Sequence, residues 1–198
     1  MGQELEFKLA VRDPAQLAEI LADHEVAALC GPWREIKMET TYYDTPSRAL
    51  STRKWMLRRR CENGSSVVCV KVPLEDHLRG EWEIAAACMN REAVQALVRS
   101  GAPAELPSLC AAGLVPVCGA AFLRRAALLR FPDGSSAELA GDHGVLRGSM
   151  QELPFTEVEL ELCGGSPAAM QVLAEGLCRR YGLHEEPLSK FARARQLK

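Results

Sequence analysis

The residues Glu4-Leu5-Glu6-Phe7-Lys8-Leu9 alternate charged and apolar side chains without a break. Successive side chains of an extended chain project to opposite faces, so Glu4, Glu6 and Lys8 share one face and Leu5, Phe7 and Leu9 the other. A single segment of this kind reads as an antiparallel strand with its polar side in water. Repetition changes that reading, because Glu157, Glu159 and Glu161 interleave with Val158, Leu160 and Leu162 in the same way. Three like charges in line on an exposed strand repel one another. Carboxylates gathered like this point to a face that meets cations.

Further strands follow the same logic. Glu35 to Tyr43 is rich in Thr and Tyr and closes on the turn Asp44-Thr45-Pro46. Trp55 to Cys61 places Arg58 and Arg60 on one face, and the hairpin signal Glu62-Asn63-Gly64 leads to a return strand, Ser66 to Val72, that carries Lys71. Arg79 to Ile84 sets Arg79, Glu81 and Glu83 against Trp82 and Ile84. Phe122 to Phe131 carries Arg124, Arg125 and Arg130 and turns at Pro132-Asp133-Gly134. Ser136 to Asp142 returns with Glu138, Ala140 and Asp142 on one face, and Gly144 to Gly148 follows as a further short segment.

Amphipathic helices lie between these strands. Asp13-Pro14 supplies an N-cap and a first-turn proline for a helix striped by Leu17, Ala18, Ile20 and Leu21, expected to end before Val26. Asn90 caps a second helix that Gly101 ends, and a short helix is expected near Ser108 to Ala112, in a connector that crosses the outside of a sheet. Ser166-Pro167 opens a third, with Met170, Leu173, Ala174 and Leu177 on its apolar side and Gly182 as C-cap. The basic tail from Ser189 to Arg195 reads by itself as a solvated terminal helix.

The 198 residues fit a single domain, 1–198, and 47% hydrophobic with 25% charged residues is ordinary globular composition. A net charge of −2 provides no overall field toward nucleic acid or an anionic membrane, so any polyanion must be met by a local cluster. The apolar runs are too short to span a bilayer, and the N-terminus enters a charged strand at once, which makes a cytoplasmic protein the expectation. None of the eight cysteines is spaced C-x-x-C, so they are expected to be reduced and to act as small apolar side chains.

Two architectures accommodate strands with one charged and one apolar face. A sandwich turns the charged sides to solvent; a closed barrel turned inside out hides them in a lumen and covers its apolar exterior with helices. The amphipathic helices need an apolar surface, and the charges sort into carboxylates (Glu4, Glu6, Glu81, Glu83, Asp142, Glu159, Glu161) and cations (Lys8, Arg58, Arg60, Lys71, Arg125, Lys190), so the barrel is favoured. Burying such charges unpaired costs on the order of several kcal/mol per ion, so they compensate one another or meet a ligand. A polyphosphate with a divalent metal satisfies both sets, through Arg and Lys on phosphate oxygens and carboxylates on Mg2+ or Mn2+. Period-two spacing puts Glu4 and Glu6 about 7 Å apart along one strand, able to ligate one ion or flank two. No G-x-x-x-x-G-K-[ST] loop is present to cradle phosphate with backbone amides.

E-x-E-x-K at Glu4, Glu6 and Lys8 is followed in order by Tyr42-Tyr43-Asp44-Thr45-Pro46, Leu57-Arg58-Arg59-Arg60, Val70-Lys71-Val72-Pro73, Arg79-Gly80-Glu81-Trp82-Glu83, Glu157-Val158-Glu159-Leu160-Glu161 and Ser189-Lys190-Phe191-Ala192-Arg193. Over essentially its whole length this chain resembles the CYTH domain of the triphosphate tunnel metalloenzymes. The resemblance implies an α+β fold, an eight-stranded antiparallel closed β-barrel, that binds a linear triphosphate and hydrolyses its terminal phosphoanhydride with Mg2+ or Mn2+. By the same resemblance Glu4, Glu6, Glu159 and Glu161 are expected to hold metal. Lys8, Arg58, Arg60, Lys71, Arg125 and Lys190 are expected to bind phosphate, with Arg124 as the alternative for the arginine at 125. Glu4, Glu6, Lys8, Glu81, Glu83 and Asp142 are expected to serve catalysis. Inorganic tripolyphosphate, thiamine triphosphate and a nucleotide all remain open as substrates, as do an adenylyl cyclase and a non-catalytic triphosphate-binding module. No nucleic-acid or membrane partner is expected, and the oligomeric state is open.

Overall fold

Strands that are charged on one side and apolar on the other need two environments, and one curled antiparallel sheet provides both. The computed structural model describes residues 5–74 and 79–197, so Glu4 lies outside the described residues. The strands are β1 (Glu6–Ala10), β2 (Arg34–Asp44), β3 (Met56–Glu62), β4 (Ser65–Pro73), β5 (Arg79–Ala85), β6 (Val115–Arg130), β7 (Ser136–Arg147), β8 (Glu152–Gly164) and β9 (His184–Glu185). They pair antiparallel in the order β5-β4-β3-β2-β6-β7-β8-β1-β9.

The expected closed eight-stranded barrel is therefore corrected to an open sheet of nine strands. No ladder joins β5 to β9 among the described residues, and β9 is a two-residue strand that adds to the free edge of β1. The expected segments 136–142 and 144–148 form a single strand. Gly144 continues it because a Cβ there would stand 2.2 Å from the Ala121 carbonyl oxygen, where β6 and β7 approach closely. β6 likewise begins at Val115, seven residues ahead of Phe122, and follows β2 out to the Asp44 turn.

The helices are α1 (Pro14–Leu21), α2 (His24–Leu29), α3 (Ala49–Thr52), α4 (Arg91–Arg99), α5 (Leu106–Leu109), α6 (Ala168–Tyr181) and α7 (Lys190–Gln196). The expected first helix is split in two. Asp23 accepts hydrogen bonds from the Glu25 and Val26 amides, which starts a second helix at the corner, and the Arg180 guanidinium ties the same carboxylate to α6. Asp13 and Asn90 cap α1 and α4 as their positions in the sequence suggest, and Gly182 ends α6 with a φ of 64°. No described helix is long and apolar enough to cross a membrane.

Burial assigns the two faces. Leu9, Leu139, Val158 and Leu160 point outward beneath α1, α2 and α6, where Ile20, Val26, Met170 and Leu177 complete a core. A second outer core joins Leu57, Val68 and Val70 to Val94, Leu97 and Leu106 beneath α4 and α5. The helix α7 lies on the concave side. Its Ala194 is fully buried beside Tyr42, Cys118, Ala120, Leu146 and Phe155, so the basic tail is an apolar plug as well as a source of cations, not the solvated helix expected from the tail alone.

Candidate functional site

Strand register determines which side chains face inward. Glu6 lies opposite Glu161 and Lys8 opposite Glu159 on the β1–β8 ladder, Asp142 opposite Glu157 on β7–β8, and Arg124 opposite Asp142 on β6–β7. Across the trough Arg58 and Arg60 of β3, Lys71 of β4 and Glu81 and Glu83 of β5 face the same space. These strands and α7 enclose a cavity of about 830 Å3, lined from β1 and β5, strands near the two ends of the sheet order. The sheet is thus curled around its charged face.

One side of this cavity is a compact ionic cluster. Lys190, on the first turn of α7, places its ammonium 2.7 Å from both Asp142 and Glu159 and against Glu157. Arg124 grips Asp142 with two hydrogen bonds, 2.8 Å from Nε and 2.7 Å from Nη2, and also reaches Glu159. Arg193 bonds Glu157 from one helical turn beyond Lys190. Asp142 and Glu157 are fully buried, which only dense pairing permits. Burial works against ionisation of Glu159, yet Lys190 and Arg124 hold its carboxyl far below the usual range. Lys190 is raised despite its own burial, because Asp142, Glu159 and Glu157 surround it. The Phe122 and Phe155 rings, 5.0 and 5.5 Å from its ammonium, close the remaining side.

The opposite wall pairs its charges in smaller groups, Arg60 also meeting Glu62 at 2.8 Å. Lys71 meets Glu81 at 2.7 Å, Arg58 meets Glu81 at 3.4 Å and Arg60 meets Glu83 at 3.3 Å. Burial disfavours the Glu81 carboxylate, but hydrogen bonds from Cys69 and Lys71 more than offset it and lower its pKa. Burial pushes the Cys69 thiol up to about 12, which leaves it a protonated donor at 3.0 Å from Glu81. These pairs share one dielectric boundary with the cavity, so an incoming polyanion can exchange for the carboxylate partner of each cation.

A model of the CYTH domain matches residues 2–194 of this sequence. The chain belongs to the CYTH domain family. The Hippeastrum protein HpAC1, proposed as an adenylyl cyclase and found to have a dominant triphosphatase activity, is similar in structure with a TM-score of 0.67 and 19% identity, over 99% of this chain and 97% of that one. PH1819 from Pyrococcus horikoshii superposes with a TM-score of 0.61 and 19% identity, over 99% and 100% of the two chains. A Bacillus halodurans protein proposed as an adenylate cyclase gives 0.56 and 17%, over 94% and 93%. At these identities the likeness concerns the fold.

Within this CYTH domain the structure brings together Glu6, Lys8, Arg58, Arg60, Lys71, Glu81, Glu83, Asp142, Glu159, Glu161 and Lys190. Glu4 lies outside the described residues. Arg125 does not join them: its guanidinium lies 5.4 Å over the Trp33 ring on the outer face, and Arg124 is the inward arginine. The reason is register, since Arg124 faces Asp142 whereas Arg125 faces Gly141, whose Cα is covered by Leu17 and Leu21 of the outer core. Glu157 and Arg193 were not singled out in the sequence as site residues. Parity with Glu159 and Glu161 was the available signal for the first, and helical spacing from Lys190 for the second.

Two acidic sets bear on metal binding. Asp142, Glu157 and Glu159 bring ligand atoms within 4.8 Å of one another, but Lys190 already provides their cation. Glu6 differs: burial and then the neighbouring Glu159 charge raise its pKa, with Lys8 only partly opposing them. Burial is the larger cause, and the Glu159 carboxylate beside it adds to the rise. Glu6, Glu159 and Glu161 come from adjacent strands and are hard oxygen donors of the kind a divalent cation takes.

Proposed function

We propose that this CYTH domain hydrolyses the terminal phosphoanhydride of a linear triphosphate, inorganic or organic, in a Mg2+- or Mn2+-dependent reaction. The observation that carries the proposal is one cavity with Glu6, Glu159 and Glu161 on one wall and Arg58, Arg60 and Lys71 on the other. A pure phosphate binder needs only the cations; the facing carboxylates suit a substrate that travels with metal.

Glu6, Glu159 and Glu161, joined by Glu4, would hold the divalent ion, which supplies neutralisation of phosphate charge and acidification of water. Arg58, Arg60, Lys71 and Lys8 bind the phosphate oxygens, with Arg124 and Lys190 behind them. Water adds at the terminal phosphorus while its bond to the bridging oxygen breaks, and the water proton passes to solvent or to a cavity carboxylate such as Glu83. The leaving diphosphate, or nucleoside or thiamine diphosphate, gains negative charge that these fixed cations offset without reorganisation. Asp142 acts on the cations, orienting Arg124 and Lys190 through direct ion pairs.

The test is phosphate release from tripolyphosphate, ATP and thiamine triphosphate with Mg2+ or Mn2+. Release from tripolyphosphate supports the proposal. Cyclic AMP from ATP identifies a cyclase instead, and binding with no release identifies a binding module. The structurally similar HpAC1, in which triphosphatase activity is dominant, favours the first outcome.

A further inference from the structure

The turn between β2 and β3 is built with unusual care. Asp44, only 4% exposed, accepts hydrogen bonds from the Thr45, Leu50 and Ser51 amides at 2.7, 3.0 and 3.2 Å and from the Ser51 hydroxyl. Leu50 and Trp55 anchor the turn in the outer core. Two basic residues flank α3 in left-handed backbone conformations, Arg48 at φ 59° and Lys54 at φ 58°, a strained geometry that the surrounding bonds enforce. The effect is to fix Ser51, Lys54 and Trp55 at the cavity wall.

From the other side α7 brings Ser189 and Arg195 to the same cavity, and Arg195 donates to the Ser51 hydroxyl at 3.0 Å. The charge pattern here differs from the rest of the lining. Lys8, Arg58, Arg60, Lys71, Arg124 and Lys190 each have a carboxylate partner. Among the described residues Lys54 and Arg195 form no ion pair, and the only carboxylate in the turn, Asp44, is spent on the backbone of that turn. Two uncompensated cations and the Ser189 hydroxyl, whose proton is not committed, attract an anion and repel a cationic organic group such as a thiazolium ring.

We infer that Lys54, Ser189 and Arg195, with Ser51 positioning Arg195, form a subsite for a phosphate beyond the three held among the paired cations, so that linear polyphosphate of four or more units is bound in preference to tripolyphosphate. This rests on the triphosphate reading of the cavity and extends it to chain length. Calorimetric titration of the metal-free protein with inorganic tripolyphosphate and tetrapolyphosphate tests it, alongside steady-state hydrolysis of both with Mg2+. The wild type should bind tetrapolyphosphate about tenfold more tightly, equivalent to ~1.4 kcal/mol. The double variant Lys54→Asn/Arg195→Gln, with asparagine chosen because it tolerates the left-handed backbone, should lose that preference and keep tripolyphosphate affinity within about twofold. Equal wild-type affinity for the two chains, or a preference that survives in the variant, overturns the subsite while leaving the triphosphate reading intact. Failure to bind tripolyphosphate at all overturns both. Tighter binding of ATP or thiamine triphosphate than of tetrapolyphosphate shows that the subsite takes an organic group and also overturns the inference.

Discussion

Replacing Lys190 by methionine keeps the length of the side chain and removes the charge at the centre of the ionic cluster. Three carboxylates, Asp142, Glu157 and Glu159, face three cations, Lys190, Arg124 and Arg193, so the substitution leaves one net negative charge in a buried group. Breaking a buried pair costs about 3–5 kcal/mol. The low end applies because Arg124 and Arg193 still reach the same carboxylates, and about 3 kcal/mol corresponds to a melting temperature roughly 6–12 °C lower for a chain of this size. The pH dependence has a definite sign. Glu159 is depressed in the folded protein, so its contribution is present above its unfolded pKa and is lost as pH falls through the folded value. Lys190 is raised, so its contribution is present below its unfolded pKa and is lost only in strong alkali. In Lys190→Met the carboxylates lose their main partner and take up protons more readily, so the deficit relative to wild type should shrink between pH 7.5 and pH 5. Differential scanning calorimetry of both proteins at the two pH values, without divalent metal, measures this. A deficit under about 2 °C at pH 7.5, or one that widens on acidification, would refute the electrostatic account.

Other substitutions separate neighbouring roles. Arg124→Gln should lower metal-dependent phosphate release at least about a hundredfold, as expected for a lost charge stabiliser, and should lower the melting temperature. Arg125→Gln, at an exposed position over Trp33, should leave turnover within about twofold and the melt within about 2 °C. Glu6→Gln should abolish turnover with Mg2+ or Mn2+ while the calorimetric transition persists, and chelation of the metal should do the same to the wild type; near-wild-type rates in either case contradict the metal assignment. Asp44→Ala removes the acceptor for three amides and the Ser51 hydroxyl, at about 1–3 kcal/mol for each buried group left unpaired. It should destabilise the protein by at least about 3 kcal/mol in urea titration, and wild-type stability would show that the turn does not depend on this carboxylate.

Period-two alternation made most of this architecture legible, because a charged row and an apolar row on the same strand already imply two environments. Glu6 and Lys8 do face the cavity and Leu9 does lie beneath helices. Alternation says nothing about closure, which depends on whether two edges find one another in register. Here the edge of β1 pairs with His184 and Glu185, and no ladder closes the sheet among the described residues. Nor does it choose a face where both parities carry the same residue type. Arg124 and Arg125 are indistinguishable until Asp142 and Gly141 stand opposite them, one offering a carboxylate and the other allowing the close approach of Leu17 and Leu21. The tail was hidden for a different reason. Its charges suggest solvent, yet Phe191 packs 4.8 Å from Tyr42 and Ala194 is fully buried, while Lys190 and Arg193 turn toward acids contributed by β7 and β8. A helix of seven residues has little stability alone. It docks because the concave face supplies both an apolar patch and uncompensated carboxylates, so α7 and the charged lumen each complete what the other lacks.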